Sequence, residues 1–172
     1  EAPVLGHVPL LEAVASTGQP VLLVVGACTE DDIDLAIKIL GPGRLTLMHC
    51  VFAKGVTGGS TALWHVPYLA ERFGLPMGYM GMERDIHTPV AAFALGAHTI
   101  EKRFTSDKHL PGPSHNASLD RDELRQLVLN LRSIEVAVSG SPPRVLLPVE
   151  LESDEECHPA LVASSTLPAG VV

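Results

Sequence analysis

The chain has 172 residues, enough for one well-formed core and part of a second. Hydrophobic residues make up 46%, aromatics only 4%, and the 15 Gly and 14 Pro are spread along it, an ordinary α/β composition that excludes disordered and fibrous classes. A formal charge of −8 with no basic cluster argues against a nucleic-acid partner, and the acidic balance reads as a solubility device.

Cys28, Cys50 and Cys157 are odd in number and far apart. They predict thiols in a reducing compartment, cytoplasmic by default or an organelle matrix, with Cys50 buried at a strand end. No apolar run approaches the length of a membrane span, so no membrane insertion is expected, and no signal or transit pattern is present. A start at Glu1 and a stop at Val171–Val172 lead us to expect a segment of something longer.

In chain order, "VPLLEAVASTG" reads as a helix ending at Gly18. Four apolar runs follow, each leading into a helical pattern. The first is "PVLLVVGA", after which Thr29 and Asp32 form a capping box and Ile33, Ala36, Ile37 and Leu40 recur at helical spacing. The second, "RLTLMHCVF", leads into "STALWHVPYLAERFG", with Leu63, Val66, Leu69, Ala70 and Phe73 on one face and Pro67 predicting a kink or break. The third, "LPMGYMG", precedes "HTPVAAFALG", where Thr88 is the expected cap, Pro89 the first helical residue and Gly96 the stop. The fourth, "AHTIEKRFT", is followed by a Pro-Gly-Pro loop and a long helix. Asp120 and Glu123 cap that helix, and Leu124, Leu127, Val128, Leu131, Ile134 and Val138 form its apolar stripe.

Strand–helix alternation four times over predicts a parallel sheet covered by helices. The composition divides the chain into that body (1–138), a linker (139–156, containing "SGSPPR") and a separate module entered at 157–172.

Three segments resemble the sialic acid (N-acetylneuraminate) synthase family, whose members condense phosphoenolpyruvate with an N-acetylmannosamine-type sugar. They are "PLLEAVASTGQPVLLVVGACTEDDI", "RFGLPMGY" continuing into "AAFALGAHTIEKRFT", and "LPGPSHNASLDRDELRQLV", in the family's order with no gap between His49 and Leu119. "LVASSTLPAGVV" is similar to the start of the antifreeze-like domain that follows the barrel in this family. The resemblance implies a (β/α)8 TIM-type barrel of which only the second half, about four βα units, is present. Such a half leaves two open sheet edges, which a protein partner or the missing half-barrel must cover.

The same resemblance implies a lost active site. The family's Gly-Tyr-Ser-Asp-His-Thr motif, whose His binds a catalytic divalent metal, corresponds to Gly78, Tyr79, Met80, Gly81, Met82 and Glu83. The second metal His corresponds to Arg103. A thioether is a poor ligand for Mn²⁺ or Mg²⁺ and a guanidinium is none. The substrate loop after the sixth strand is replaced by Val51–Thr57, the turn after the fifth by Val24–Ala27, and the implied sugar-binding Asp by Ser114. Glu101, Lys102, Phe104, Thr105, the Pro111-Gly112-Pro113 turn, His115, Ala117, Ser118 and Leu119 match the family.

Other groups offer alternatives. Glu83 and His87, four apart, could hold a relocated cation if they shared a helix face. His49 and His65 read as hydrogen-bonded rather than ligating. His109 and His115 flank the Pro-Gly-Pro loop, and Cys157-His158 is a weak metal pair. Lys54 and Arg103 could bind an anion without metal, or could be solvated or paired to Glu83 or Glu101. Three functions are thus open. One is a degenerate, non-catalytic structural or accessory subunit without cofactor. The second is an active synthase fragment that uses Mn²⁺ or Mg²⁺, phosphoenolpyruvate and a small sugar. The third is a metal-independent anion-binding module.

Overall fold

Four short strands, Val21–Val25 (β1), Leu45–His49 (β2), Met77–Gly81 (β3) and Thr99–Lys102 (β4), lie side by side in the order β1-β2-β3-β4, all parallel. The computed structural model describes residues 5–112, 114–140, 143–152 and 162–170. Helices Val8–Ser16 (α1), Glu30–Leu40 (α2), His65–Phe73 (α3), His87–Ala94 (α4) and Arg121–Ala137 (α5) alternate with the strands. The expected half-barrel order is therefore present: each strand is followed by a helix, and sequential strands are neighbours.

The register aligns two rows across the sheet. Val25, His49, Tyr79 and Ile100 stand level on one face, where the His49 ring meets that of His65 on α3, so this is the helix-covered face. Val24, Met48, Gly78 and Thr99 stand level on the other. There Met48 lies across Gly78 so closely that a Cβ at Gly78 would be 2.3 Å from the Met48 sulfur, which is why the strand carries Gly at that point. On the first face Leu47, Met77 and Tyr79 join Ile33, Ala36, Val66, Leu69 and Ala92 in one core. On the second, Val24, Met48 and Met80 are buried, but Leu22 is 54% exposed and Glu101 lies open.

The outer edge of β4 is partly occupied. The His98 N–H donates to the Met77 carbonyl, so even-numbered residues turn their backbone to β3 and odd-numbered ones turn away. On the outer side Leu119 N–H donates to Arg103 O (2.8 Å) and Thr105 N–H donates to Leu119 O (2.9 Å), a single bridge just past the strand's end.

Several local expectations are corrected. Pro67 causes neither kink nor break, because α3 begins at His65 and the proline falls in its first turn, where an N–H has no intrahelical partner anyway. Thr88 does not cap α4. The helix starts at His87, and Asp85 accepts the His87 and Thr88 N–H groups (2.9 and 2.7 Å) and the Thr88 hydroxyl (3.1 Å). Burial raises the Asp85 pKa, but these donors outweigh it and hold the carboxyl below its ordinary value. The α5 stripe is only partly used: Leu127 is buried, while Val128 and Val138 are 47% and 54% exposed, since α5 packs on α4 along one flank. The capping boxes Thr29–Asp32 and Asp120–Glu123 form as expected.

The chain divides into two compact units, Glu1–Ser139 and Gly140–Val172. Within the second, Pro148–Glu152 forms a short helix (α6) in the stretch expected as linker. Pro113, Cys157-His158 and much of the expected antifreeze-like stub lie outside the described residues. Among the described residues no helix is long and apolar enough to cross a membrane.

Candidate functional site

The C-terminal ends of β3 and β4 bring Met82 and Arg103 together, as strand alternation requires of two residues one step past neighbouring strands on one face. The Arg103 guanidinium donates from Nη2 to the Met82 sulfur and from Nη1 to Ser114 Oγ (3.4 Å). These are the two positions to which the resemblance assigns metal-binding histidines. A thioether and a cation in mutual contact offer no pair of hard donors, so this donor set does not fit Mn²⁺ or Mg²⁺.

On the opposite, helix-covered face the chain has built a buried ion pair. Lys102 Nζ lies 2.8 Å from Glu83 Oε1, with side-chain exposures of 3% and 1%, and also donates to the main-chain carbonyl of Glu83. The Tyr79 hydroxyl donates to Glu83 Oε2 at 2.7 Å. Burial, then the adjacent Glu83 carboxylate, push the Tyr79 phenol well above its ordinary pKa. Gly81 makes the room: a Cβ there would be 2.4 Å from Glu83 Oε1 and 2.7 Å from Lys102 Cδ. The resemblance implies Asp at 81 and Thr at 83. Here the carboxylate stands two residues later, and the vacated position must be Gly.

This arrangement corrects two expectations. Glu83 pairs with Lys102, not with Arg103 or Lys54, because Lys102 and Arg103 point to opposite faces of the sheet. Nor do Glu83 and His87 share a helix face, since α4 starts at His87 and Glu83 precedes it. Lys54 is exposed in the loop after β2 and forms no ion pair among the described residues. Glu101 is exposed, and Phe104 is 56% exposed beside the Leu119 bridge.

Thr105 is buried; its Oγ lies 2.8 Å from His115 Nδ1 and donates to the Asp107 carbonyl. His115 therefore ties down the loop between β4 and α5. His109 is exposed, with its backbone N–H on Asp107 Oδ1. His49 is buried with Nε2 2.8 Å from the Thr61 carbonyl. Among the described residues no three His, Cys, Asp or Glu side chains gather as a metal site. The Tyr79–Glu83–Lys102 network went unread in the sequence, although Gly81 inside a strand, followed two residues on by an acid and faced by a lysine, was its available signal.

Comparison with known proteins agrees with this fold. A model of the NeuB family matches residues 3–142. An uncharacterized protein of Methanocaldococcus jannaschii is 35% identical over 94% of this chain and 49% of its own. The N-acetylneuraminate-9-phosphate synthase of Mus musculus is 34% identical over 94% of this chain and 46% of its own. The chain thus spans about half the length of these curated relatives. Among solved structures, the N-acetylneuraminic acid synthetase of Leptospira borgpetersenii, in complex with citrate, superposes with a TM-score of 0.81 at 28% identity, covering 90% of this chain and 55% of that one. The four βα units, their order and these matches together establish that the chain belongs to the NeuB family, as part of a TIM-barrel-type fold.

Proposed function

We propose that this chain is a non-catalytic member of the NeuB family, a half-barrel scaffold that acts as a structural or accessory subunit and uses no divalent metal. The observation that carries the proposal is the Arg103–Met82 contact, which fills the two family metal positions with groups unable to ligate a hard cation. The substrate-contacting loops have changed in the same direction. The side chains of Val24–Ala27 offer no hydroxyl, amide or charge to a phosphate or sugar, and in Val51–Thr57 only Lys54 and Thr57 do.

The partner that fits is a second set of four parallel strands, from another segment or another chain. The supporting features are the two sheet edges, the 54% exposed Leu22 on the uncovered face and the outward valines of α5. The test is phosphate release from phosphoenolpyruvate in the presence of N-acetylmannosamine and Mn²⁺, measured on the longest native polypeptide or assembly that carries this chain. No release above background is expected. Turnover at about 1 s⁻¹ or more, an ordinary enzyme rate, overturns the proposal in favour of an active synthase.

A specific observation favours one secondary reading. Arg103 is half-buried and among the described residues its guanidinium meets a sulfur and a hydroxyl, so it has donors to offer an anion. A rise in melting temperature with millimolar phosphate, lost in Arg103→Gln, would support a metal-independent anion site.

A further inference from the structure

We propose that the cleft at the C-terminal ends of β1 and β2 binds a small, uncharged aromatic or heteroaromatic ring carrying an N–H or O–H donor. The cleft lies beside the strand that bears His49 and is distinct from the Met82–Arg103 pair. Its volume is about 460 Å³, within the range of about 300–1,000 Å³ typical of ligand pockets. Its walls include Ala27, Cys28, Phe52, His65 and Tyr68, with His49 among the lining residues.

The chemistry of each lining group narrows the ligand. His49 is 3% exposed, and its Nε2 faces the Thr61 carbonyl at 2.8 Å. A carbonyl only accepts, so Nε2 carries the proton and Nδ1 presents a lone pair. Burial, opposed by the Thr61 bond and aided by nearby His65, lowers the His49 pKa and keeps the ring neutral. Burial and then Asp32 raise the Cys28 pKa, so its thiol is also neutral. The Tyr68 hydroxyl is occupied on Glu30 Oε1 at 2.7 Å, which leaves the ring as its contribution.

Aromatic surface is concentrated here although the chain is poor in it. The His49 and His65 rings meet edge to face with centroids 5.1 Å apart, Trp64 sits 3.8 Å from His65, and Tyr68 is 6.5 Å from His65. Phe52 adds a further ring. Glu30 stands at the same cleft and the chain carries a charge of −8, which disfavours anions. No three metal-ligating side chains gather among the described residues, which disfavours a metal. What remains is a flat neutral ring that stacks and gives one hydrogen bond.

The cleft also shows strain. Ala27 holds φ at +51°, a conformation that L-residues with a side chain rarely adopt. Its neighbour Gly26 approaches β2 so closely that a Cβ would be 2.3 Å from the Cys50 carbonyl oxygen. The loop is thus fixed in an unfavourable backbone state that presents Ala27 and Cys28 to the cleft.

The chain's single tryptophan, Trp64, whose ring is tilted 46° to that of His65, is a built-in reporter. Benzamide, neutral and donor-bearing, is titrated into the full chain while Trp64 emission and the melting temperature are followed. The expected result is a saturable change in both, with toluene, which lacks the donor, binding about tenfold more weakly, the cost of leaving the His49 acceptor unmade. Phe52→Ala, on the half-buried loop, is expected to weaken benzamide about tenfold without unfolding the chain, as circular dichroism would verify. The proposal is overturned by no saturable change up to about 10 mM, a weak affinity for a fragment of this size. Equal binding of toluene and benzamide, or of Phe52→Ala and the native chain, overturns it as well. It is independent of the proposed non-catalytic role, since ring binding and phosphate release are separate readouts.

Discussion

Replacing Lys102 by Met should be among the most damaging single changes in this chain. Lys102 and Glu83 are 3% and 1% exposed and 2.8 Å apart, and the Tyr79 hydroxyl supplies the other carboxylate oxygen. Two charges removed from water and paired this closely roughly break even against an apolar pair. Removing one partner, however, strands the other charge in a low-dielectric site at a cost of about 3–5 kcal/mol. The double variant Glu83→Leu/Lys102→Met removes both charges, so it should recover most of that loss and cost far less than the two single variants added together. The assay is urea denaturation of all variants at neutral pH. A cost for Lys102→Met below about 1 kcal/mol, the range of exposed ion pairs, would refute the claim that burial makes this pair a structural necessity.

Three further outcomes are expected. Met82→His/Arg103→His puts two imidazoles on one face of adjacent strands and should give weak Mn²⁺ binding by electron paramagnetic resonance; equal binding by the native chain would contradict our reading of the donor set. His49 has its folded pKa lowered, so its contribution to stability is complete above its unfolded value of about 6.5 and declines as pH falls below it. Urea midpoints should therefore drop between neutral pH and pH of about 5, with a shallower slope in His49→Phe. Gly78→Val places a side chain 2.3 Å from the Met48 sulfur and 2.8 Å from the Thr99 carbonyl, which should cost about 3 kcal/mol or more. Met48→Ala should not rescue it, because the second clash is with backbone.

Much of the fold was legible because the signals were local. β1 to β3 are apolar runs bounded by Gly, Pro or polar residues, and α2 and α5 announce themselves with reciprocal caps at Thr29–Asp32 and Asp120–Glu123. The α4 start was misplaced because Thr88-Pro89 is a strong local signal, whereas Asp85 caps through a turn whose geometry is set by the end of β3. That the resemblance sets Met82 and Arg103 at the family's ligand positions could be read residue by residue. Their mutual contact, and the choice of Lys102 over Arg103 by Glu83, could not: Glu83 lies two residues past β3, where alternation no longer tells which face a side chain takes. The cleft beside His49 was missed for the same reason, since its walls come from loops and helix starts distant in sequence.

The Leu119 bridge bears on how such a sheet avoids sticking to itself. An exposed parallel edge is a template for endless ribbon growth, and neighbouring copies need only slide along one another to find a pairing. With Arg103 and Thr105 already bonded to Leu119, an incoming strand meets an obstruction at the upper end of β4 and is left only the short stretch through Thr99 and Glu101. A strand displaced toward that end therefore has fewer hydrogen bonds to gain, which disfavours misaligned pairing along this edge.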